Sequence, residues 1–421
     1  MVQDCLTSKN YGHIGVMWKT VSEACNLACD YCYYSSCGGQ PGKIEKIDSI
    51  MLEKFIKEYM ALNNGLASFA WQGGEPLLAG LEFFKQVVYL QAKYAPKNTT
   101  ISNSLQTNAT LITEEWASFF KQYNFLIGVS LDGPKEINDA RRVNGQGIGS
   151  YDRVMRGINH LRKAHVDFNI LTVIHESNVG RAKELMEFYQ TEEFSHVQFI
   201  PCMDFRAQEP NKPGQYLITP EQYGQFLCEA FDVWYNDGKP KRSVRFFDNI
   251  LSVYLHQEAE LCVHRQSCPK TLILEQNGDA YPCDFYINDD YKLGNVGQDS
   301  LVDILNSPKY EDFLGLKPNL PDKCGSCKYL HLCHGGCPRN RVWNQEEDQV
   351  MYDYFCESYL QLYNYGHERM ERLAVRIKQQ WLENHLRAGR PKPDRNDSCL
   401  CGSGKKFKKC CEQLLQHSIS H

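Results

Sequence analysis

Two periodicities of apolar and polar residues alternate along roughly the first half of the chain. Short β-rich runs predict strands at 14–21, 67–72, 100–106, 125–131, 168–174 and 196–202. Apolar residues at three- and four-residue spacing predict helices between them, at 49–63, 80–93, 113–123, 150–164 and 179–190. Strands that alternate with helices are typical of a parallel sheet with right-handed crossovers. Six such units predict an α/β fold built on a partial (β/α)6 barrel.

The alternation ends near residue 204, and different patterns follow it. Helices are predicted at 219–236, 245–258 and 357–387, and the run TLILEQNGDAYPC predicts a hairpin with a two-residue turn at Asn277 and Gly278. The segment RAGRPKPDRND is basic and contains prolines, as many linkers do. These changes predict a barrel at 1–210, a helical connection at 211–260, a cysteine-rich domain at 261–388, a linker at 389–396 and a small module at 397–421.

Length and charge narrow the classes of protein to which the chain can belong. Its 421 residues are enough to bury a hydrophobic core without cross-links. A net charge of −5 argues against a large phosphate-binding surface, so no nucleic-acid partner is expected. No apolar run is long enough to span a bilayer, and the N-terminus lacks the pattern of a secretory signal. The sequence therefore predicts a cytoplasmic protein without a membrane span.

Cysteine is the unusual component, with 19 residues in 421. In a reducing compartment, clustered thiols favour metal or redox chemistry over disulfides. The first group, Cys25, Cys29 and Cys32, follows the first predicted strand, where barrels of this class carry their reactive groups. Three thiolates can hold three irons of a [4Fe–4S] cluster and leave the fourth iron open to an outside ligand. The spacing alone also allows buried structural thiols, or zinc with a fourth ligand from elsewhere.

Two short motifs carry a resemblance to a known superfamily. The segment CNLACDYC resembles the C-x3-C-x2-C loop of the radical S-adenosylmethionine (SAM) enzymes, and WQGGEP resembles the GGEP motif that follows their second strand. The resemblance implies that the first cysteine group holds a [4Fe–4S] cluster that binds SAM. Glycines let a backbone approach a ligand closely, and a glutamate can accept hydrogen bonds from an ammonium. By resemblance, the residues around SAM are Tyr31, Gly73, Gly74, Glu75, Ser130, Arg142 and Met203.

Two further groups of cysteines resemble the SPASM extension of peptide-modifying radical SAM enzymes. Their eight thiolates suffice for two fully ligated [4Fe–4S] clusters, which makes the expected total three. By resemblance, one auxiliary cluster is held by Cys262, Cys268, Cys283 and Cys337, and the other by Cys324, Cys327, Cys333 and Cys356. Two zinc ribbons are the alternative for these eight residues.

Over about residues 12–370, the chain is similar to the anaerobic sulfatase-maturating enzymes. The stretches that carry this likeness are FAWQGGEPLLAGLEFF, NSLQTNATLI, GVSLDGPKEI, FNILTVI and YPCDFY. Those enzymes oxidise a cysteine or serine in a Cys/Ser-x-Pro-x-Arg motif of an unfolded sulfatase to Cα-formylglycine, through a 5′-deoxyadenosyl radical. The resemblance implies the same reaction here, with Asp284 as the catalytic base. It also implies auxiliary clusters that accept the second electron, and a low-potential electron donor of the flavodoxin or ferredoxin type.

The last cysteine group belongs to a separate motif. Cys399, Cys401, Cys410 and Cys411 have the C-x-C-x8-C-C spacing of the C-terminal zinc motif of the SecA translocation motor, which they resemble. Four thiolates suit one tetrahedral Zn2+, and so small a module is expected to fold on the metal. Its lysines suggest an acidic partner, but the sulfatase-maturase resemblance does not cover this tail.

Three alternatives to sulfatase maturation remain open from the sequence. Another SPASM peptide maturase, for example a thioether-forming enzyme, would use the same clusters. A non-catalytic iron–sulfur electron carrier would have no use for a SAM site at Gly73, Gly74 and Glu75. A zinc-only adaptor would carry no iron. The sequence does not distinguish a cysteine from a serine substrate.

Overall fold

The computed structural model describes residues 14–63, 65–202, 218–344 and 349–413. The chain divides into two compact units, each assembled from separate stretches of sequence. The first unit contains the described residues of Met1–Asn178, Ile200–Leu217 and Pro269–Leu316. The second contains those of Val179–Phe199, Ile218–Cys268 and Lys317–His421. The predicted hairpin therefore packs within the unit that holds the first five strands.

The strands are β1 (Gly15–Lys19), β2 (Leu66–Gln72), β3 (Thr100–Thr107), β4 (Leu126–Ser130), β5 (Phe168–Ile174), β6 (His196–Pro201), β7 (Ser243–Val244), β8 (Thr271–Leu274), β9 (Asp279–Tyr281), β10 (Gly294–Asn295), β11 (Arg341–Asn344) and β12 (Gln349–Asp353).

The helices are α1 (Ser49–Leu62), α2 (Leu81–Tyr94), α3 (Glu114–Gln122), α4 (Lys135–Arg141), α5 (Tyr151–Lys163), α6 (Ala182–Thr191), α7 (Pro220–Tyr235), α8 (Arg245–Tyr254), α9 (Leu301–Leu305), α10 (Pro308–Leu316), α11 (Asp322–Gly325), α12 (Leu330–Cys333) and α13 (Cys356–Arg387).

The sheet of the first unit is parallel through its central strands. β1 to β5 pair in chain order, with register partners such as Val16 with Phe69 and Leu105 with Ile127. β8 adds to the free edge of β1 as another parallel strand, and β9 and β10 continue from it in antiparallel orientation. The predicted alternation of strands and helices is confirmed for these strands, whereas the short helix α4 was not predicted.

The hairpin of β8 and β9 exists, but its predicted two-residue turn is wrong. Glu275 N–H donates to Asp279 O at 2.9 Å, and Gly278 N–H donates back to Glu275 O at 2.9 Å. Residues 276–278 therefore form the loop, and Gly278 adopts a φ of 89°. This is the three-residue hairpin in which a glycine takes the left-handed position. The predicted helix at 245–258 also ends earlier, at Tyr254.

The apolar faces predicted by periodicity form the core of the first unit. α1 begins at an Asp48 cap, whose carboxylate accepts the Ile50 N–H at 2.9 Å. The rings of Trp18 and Trp71 stack at 6.1 Å, and Phe55 packs edge-on against Trp18 at 5.0 Å. Such buried aromatic rings contribute much of the apolar area that stabilises a sheet against its helices.

The second unit is mainly helical. α7 begins with a capping box between Thr219 and Gln222 and packs along α13, while β6 and β7 pair in parallel beside it. The C-terminal module packs on the end of α13 through Leu382. In the described part of the chain, every helix is too short or too polar to cross a membrane.

Candidate active site

The carboxyl ends of the parallel strands carry the polar residues of the first unit. Lys19, Gln72 and Ser130 are the last residues of β1, β2 and β4. In parallel α/β folds, side chains from these ends face the same edge of the sheet. The first cysteine group and the GGE motif both follow such strand ends, so the two motifs predicted to cooperate lie on one edge.

The cysteine loop after β1 directs hydrogen-bond donors at its sulfur atoms. The N–H of Leu27 donates to Cys25 Sγ at 3.5 Å, and the N–H of Ser35 donates to Cys32 Sγ at 3.3 Å. Burial raises the pKa of Cys29 to about 12, and binding of a metal to the thiolate would oppose this shift. Three cysteines in one loop, two of them with N–H donors at their sulfur atoms, suit an iron–sulfur cluster with one open iron.

The GGE motif contacts the cysteine loop through backbone atoms. Gly74 N–H donates to Ser22 O at 2.7 Å, and Glu75 N–H donates to Ala24 O at 2.8 Å. A Cβ atom at Gly74 would overlap the Ala24 carbonyl group, and Gly73 adopts a φ of 129°. Both glycines are therefore required by the geometry: Gly73 by its dihedral angle and Gly74 by the close approach of the two backbones.

Glu75 is fully buried and joins the ends of β2 and β3. Its carboxylate accepts hydrogen bonds from Thr107 Oγ1 at 2.8 Å, from Asn108 N–H at 2.8 Å and from Leu77 N–H at 3.1 Å. Burial raises the pKa of Glu75 to about 7. A carboxylate has about four lone-pair sites, so these three donors leave room for one further donor, such as an ammonium.

Tyr31 lies in a network that the sequence reveals only in part. Its hydroxyl donates to Asp132 Oδ2 and accepts a hydrogen bond from Arg142 Nη1 at 2.7 Å. Its ring stacks against His175 at 5.5 Å, and burial together with Asp132 holds the Tyr31 pKa above its usual range. Asp132 and His175 were missed by the sequence interpretation. Their positions just after β4 and β5 are the signal that could have found them.

Two more residues were predicted to contact SAM, Ser130 and Met203, and the structure describes one of them. Ser130 is half-buried and ends β4, where it pairs in register with Leu171 of β5. Met203 lies outside the described residues.

Asp284 lies in a polar cluster with two residues that the sequence interpretation did not single out. Its carboxylate forms an ion pair with Lys19 and accepts a hydrogen bond from Tyr33 Oη at 2.5 Å. The Asp284 side chain is 17% exposed, whereas the Lys19 side chain is only 1% exposed. Because Tyr33 follows Cys32 directly, these contacts bring the predicted base beside the cysteine loop.

One predicted set of auxiliary ligands lines a cavity within the second unit. The cavity has a volume of about 260 Å3, and its walls include Cys324, Cys327, Cys333 and Cys356. Four cysteines that line one cavity suit a fully ligated cluster. In the other set, Cys262, Cys268 and Cys337 belong to the second unit and Cys283 to the first.

The C-terminal cysteines converge tightly. The sulfur atoms of Cys399, Cys401, Cys410 and Cys411 all lie within 4.8 Å of one another. Tetrahedral zinc with sulfur ligands at about 2.3 Å requires sulfur–sulfur distances of roughly 3.8 Å, so the arrangement fits Zn2+ with small adjustments. Phe407 packs among these cysteines and is fully buried.

Three family models match the chain in the order in which these sites occur. They are the radical SAM superfamily over residues 20–189, the iron-sulfur cluster-binding SPASM domain over 267–328 and the SEC-C motif over 395–413. The fold and these matches define the class: a radical SAM enzyme with an α/β core, a SPASM domain and a C-terminal SEC-C region. Membership of this class implies iron–sulfur clusters and SAM as cofactors.

Similar proteins narrow the class to a family. The cysteine-type anaerobic sulfatase-maturating enzyme of Clostridium perfringens is 36% identical over 371 residues, which cover 87% of this chain and 99% of that protein. The serine-type enzyme of Bacteroides thetaiotaomicron is 35% identical, covering 83% of this chain and 88% of its own. A solved structure of native anSMEcpe with bound AdoMet and Cp18Cys peptide matches with a TM-score of 0.80 and 35% identity, covering 86% of this chain and 99% of that chain. The chain therefore belongs to the anaerobic sulfatase-maturating enzymes, as its motifs predicted.

Proposed function

We propose that this enzyme oxidises a cysteine or serine, in a Cys/Ser-x-Pro-x-Arg motif of an unfolded sulfatase, to Cα-formylglycine. Its family membership, and the peptide held by the solved relative, support a polypeptide substrate. Both cysteine-type and serine-type enzymes are among its relatives at nearly equal identity. The proposal therefore includes both substrate residues.

The observation that carries the proposal is the contact between Asp284 and the cysteine loop. Asp284 accepts a hydrogen bond from Tyr33, the residue that follows Cys32, and its side chain remains partly exposed. A general base must reach its substrate proton at hydrogen-bond distance, and a partly exposed carboxylate beside the radical source can do so. We assign Asp284 the removal of the thiol or hydroxyl proton from the target residue.

The residues of the first unit have the following proposed roles. Cys25, Cys29 and Cys32 hold the SAM-binding cluster. Tyr31, Gly73, Gly74, Glu75, Ser130, Arg142 and Met203 bind and orient SAM. Bound there, the cluster and SAM would supply a 5′-deoxyadenosyl radical able to remove a hydrogen atom from the target Cβ, and the auxiliary clusters would supply the acceptor for the second electron. Asp284 takes the proton of the target thiol or hydroxyl. A serine substrate then gives the aldehyde directly, whereas a cysteine substrate gives a thioaldehyde, which water hydrolyses to the aldehyde with release of hydrogen sulfide.

The proposal also covers the cofactors of the rest of the chain. Two further [4Fe–4S] clusters are assigned to the two cysteine sets of the SPASM domain, and one Zn2+ to the SEC-C cysteines. Support for the zinc comes from the convergence of four sulfur atoms within 4.8 Å. A flavodoxin- or ferredoxin-type donor in the cytoplasm would supply electrons, and the lysine-rich C-terminal module would bind an acidic partner.

A peptide assay tests the reaction. Full-length protein is reconstituted anaerobically with iron and sulfide and given SAM, a strong reductant and a Cys-x-Pro-x-Arg peptide, with serine and alanine versions in parallel. Mass spectrometry is expected to find a loss of mass that matches conversion of the thiol to an aldehyde, and an aldehyde-specific hydrazide is expected to label the product. The alanine peptide is the matched control. A product with an intramolecular thioether, or SAM cleavage without any aldehyde, would contradict the proposal.

A further inference from the structure

Lys19 is a lysine without solvent exposure at the carboxyl end of β1. Lysine is almost never fully buried unless its ammonium is paired, because removing that charge from water is costly. Here the ammonium forms an ion pair with Asp284 and donates to Gln72 Oε1 at 2.8 Å. It also lies 4.3 Å from the centroid of the Tyr34 ring, in the geometry of a cation–π contact.

The position of this ammonium is set by several strands. Gln72 ends β2, and its Nε2 in turn donates to Gln106 Oε1 of β3 at 2.8 Å. Lys19 thus takes part in a chain of hydrogen bonds along the ends of β1, β2 and β3. Strand ends in a packed sheet move little, so the ammonium is a rigid reference point for any side chain that pairs with it.

Asp284 differs from Lys19 in its surroundings. It lies three residues after the end of β9, within the segment 282–288, where no regular strand or α-helix is formed. Two contacts orient its carboxylate: Lys19 at Oδ1 and Tyr33 at Oδ2. Because each oxygen has one of these two partners, the carboxylate is held in one orientation. Its remaining lone pairs therefore point in fixed directions.

We propose that Lys19 is a positioning residue that holds the Asp284 carboxylate where it meets the thiol or hydroxyl of the substrate. The inference rests on the proposed role of Asp284 as the base and adds the element that orients it. A purely structural ion pair is the competing explanation, because a buried lysine needs an anionic partner whether or not that partner takes part in catalysis. The two explanations differ in the step that a Lys19 variant would impair.

The first experiment separates product formation from SAM cleavage. Lys19→Met keeps the length of the side chain and removes its charge, and Lys54→Met is the control, since Lys54 forms a half-exposed pair with Glu58. With reconstituted full-length enzyme, we expect Lys19→Met to lower kcat for formylglycine by about 100-fold, the scale expected for a misplaced catalytic group. Peptide KM and SAM affinity should stay near the wild-type values, and the ratio of 5′-deoxyadenosine to formylglycine should rise.

The conservative variant and a double variant complete the test. Lys19→Arg retains the charge and is expected to recover part of the lost formylglycine formation. If Lys19→Met fails to fold, Lys19→Arg is compared with Lys19→Gln.

Adding Lys19→Met to Asp284→Asn should cause no further loss of formylglycine formation, because the effects of residues that act as a unit are non-additive. Additive losses, or an unchanged ratio of the two products in a folded Lys19→Met enzyme, would overturn the inference. If Asp284→Asn alone retains activity, the base assignment itself fails, whatever the Lys19 variants do.

Discussion

The cysteines after β1 and the cysteines at the C-terminus are held in opposite ways. Cys25, Cys29 and Cys32 are each only partly buried and lie in a loop beside a sheet whose core consists of rings such as Trp18 and Trp71. In the C-terminal module, the cysteines themselves make up much of the buried core, together with residues such as Phe407 and Leu382.

If both proposed sites hold metal, this difference separates a metal that serves chemistry from a metal that serves folding. Most of the buried core of the first unit lies outside the cysteine loop, in residues such as Trp18, Phe55 and Trp71, so we expect its stability to depend little on a cluster. The C-terminal module is too small to have an independent hydrophobic core, and its thiols become a stable interior only when a metal ligates them. Loss of metal should therefore inactivate the first region and unfold the second.

The largest expected effect is that of Cys25→Ala. Because the variant removes one of the three proposed ligands to the SAM-binding cluster, 5′-deoxyadenosine formation should fall to the background rate, as measured by chromatography of anaerobic reactions. The melting temperature should change little, since the core of the sheet is intact. Cys228→Ala, in α7, is the matched control and should retain SAM cleavage. Persistent cleavage by Cys25→Ala would mean that the cluster is bound elsewhere.

Asp284→Asn should have the next largest effect. Loss of a general base typically lowers a rate by about 10²–10⁴-fold, so formylglycine formation should fall within that range while SAM is still cleaved. The measurement is quantitative mass spectrometry of the peptide alongside 5′-deoxyadenosine. Asp290→Asn changes an exposed aspartate six residues further along the chain and should leave both products unchanged. Equal rates for Asp284→Asn and wild-type enzyme would remove Asp284 from the mechanism.

Gly74→Ala tests the contact between the two motifs. The added Cβ would overlap the Ala24 carbonyl group, so the cysteine loop and the GGE segment would have to move apart. We expect SAM affinity to fall by roughly 10-fold or more, with a destabilisation of about 1–3 kcal/mol that is typical of overpacking. Equilibrium binding of SAM and thermal unfolding measure the two effects. Gly315→Ala adds a Cβ with no atom within 4 Å and serves as the control.

The smallest effect on catalysis is expected from the C-terminal module. A zinc chelator, or removal of residues 389–421, should leave the rate of peptide oxidation within about twofold of the wild-type rate. The reason is that the module packs on the end of α13, which is remote in sequence from the strand-end site. Chelation should instead make the segment around Cys399–Cys411 sensitive to limited proteolysis. An inactive truncated enzyme would show that the module is part of the catalytic unit.

Local sequence patterns predicted much of the fold and one part of the site. The strand pattern predicted the ends of β1 to β5 to within about two residues of their positions in the structure, since side-chain alternation depends only on neighbouring residues. The hairpin turn was misassigned because Asn277–Gly278 suits both a two-residue turn and the end of a three-residue one. The short helix α4 follows Pro134 and has too few residues to display a period.

The sequence by itself determined which residue types could bind iron, zinc and SAM, because ligand spacing in CNLACDYC, WQGGEP and the C-terminal motif is a local property. Only the tertiary structure decided which distant side chains meet them. Tyr33 and Asp284 are 251 residues apart, yet they share a hydrogen bond because β8 adds to the edge of β1. In the sequence, nothing distinguishes Lys19 from any other lysine at the end of a strand. Only the packing of the parallel strands buries it as a partner of Asp284. Such contacts arise from the register and order of strands, which no short stretch of sequence encodes.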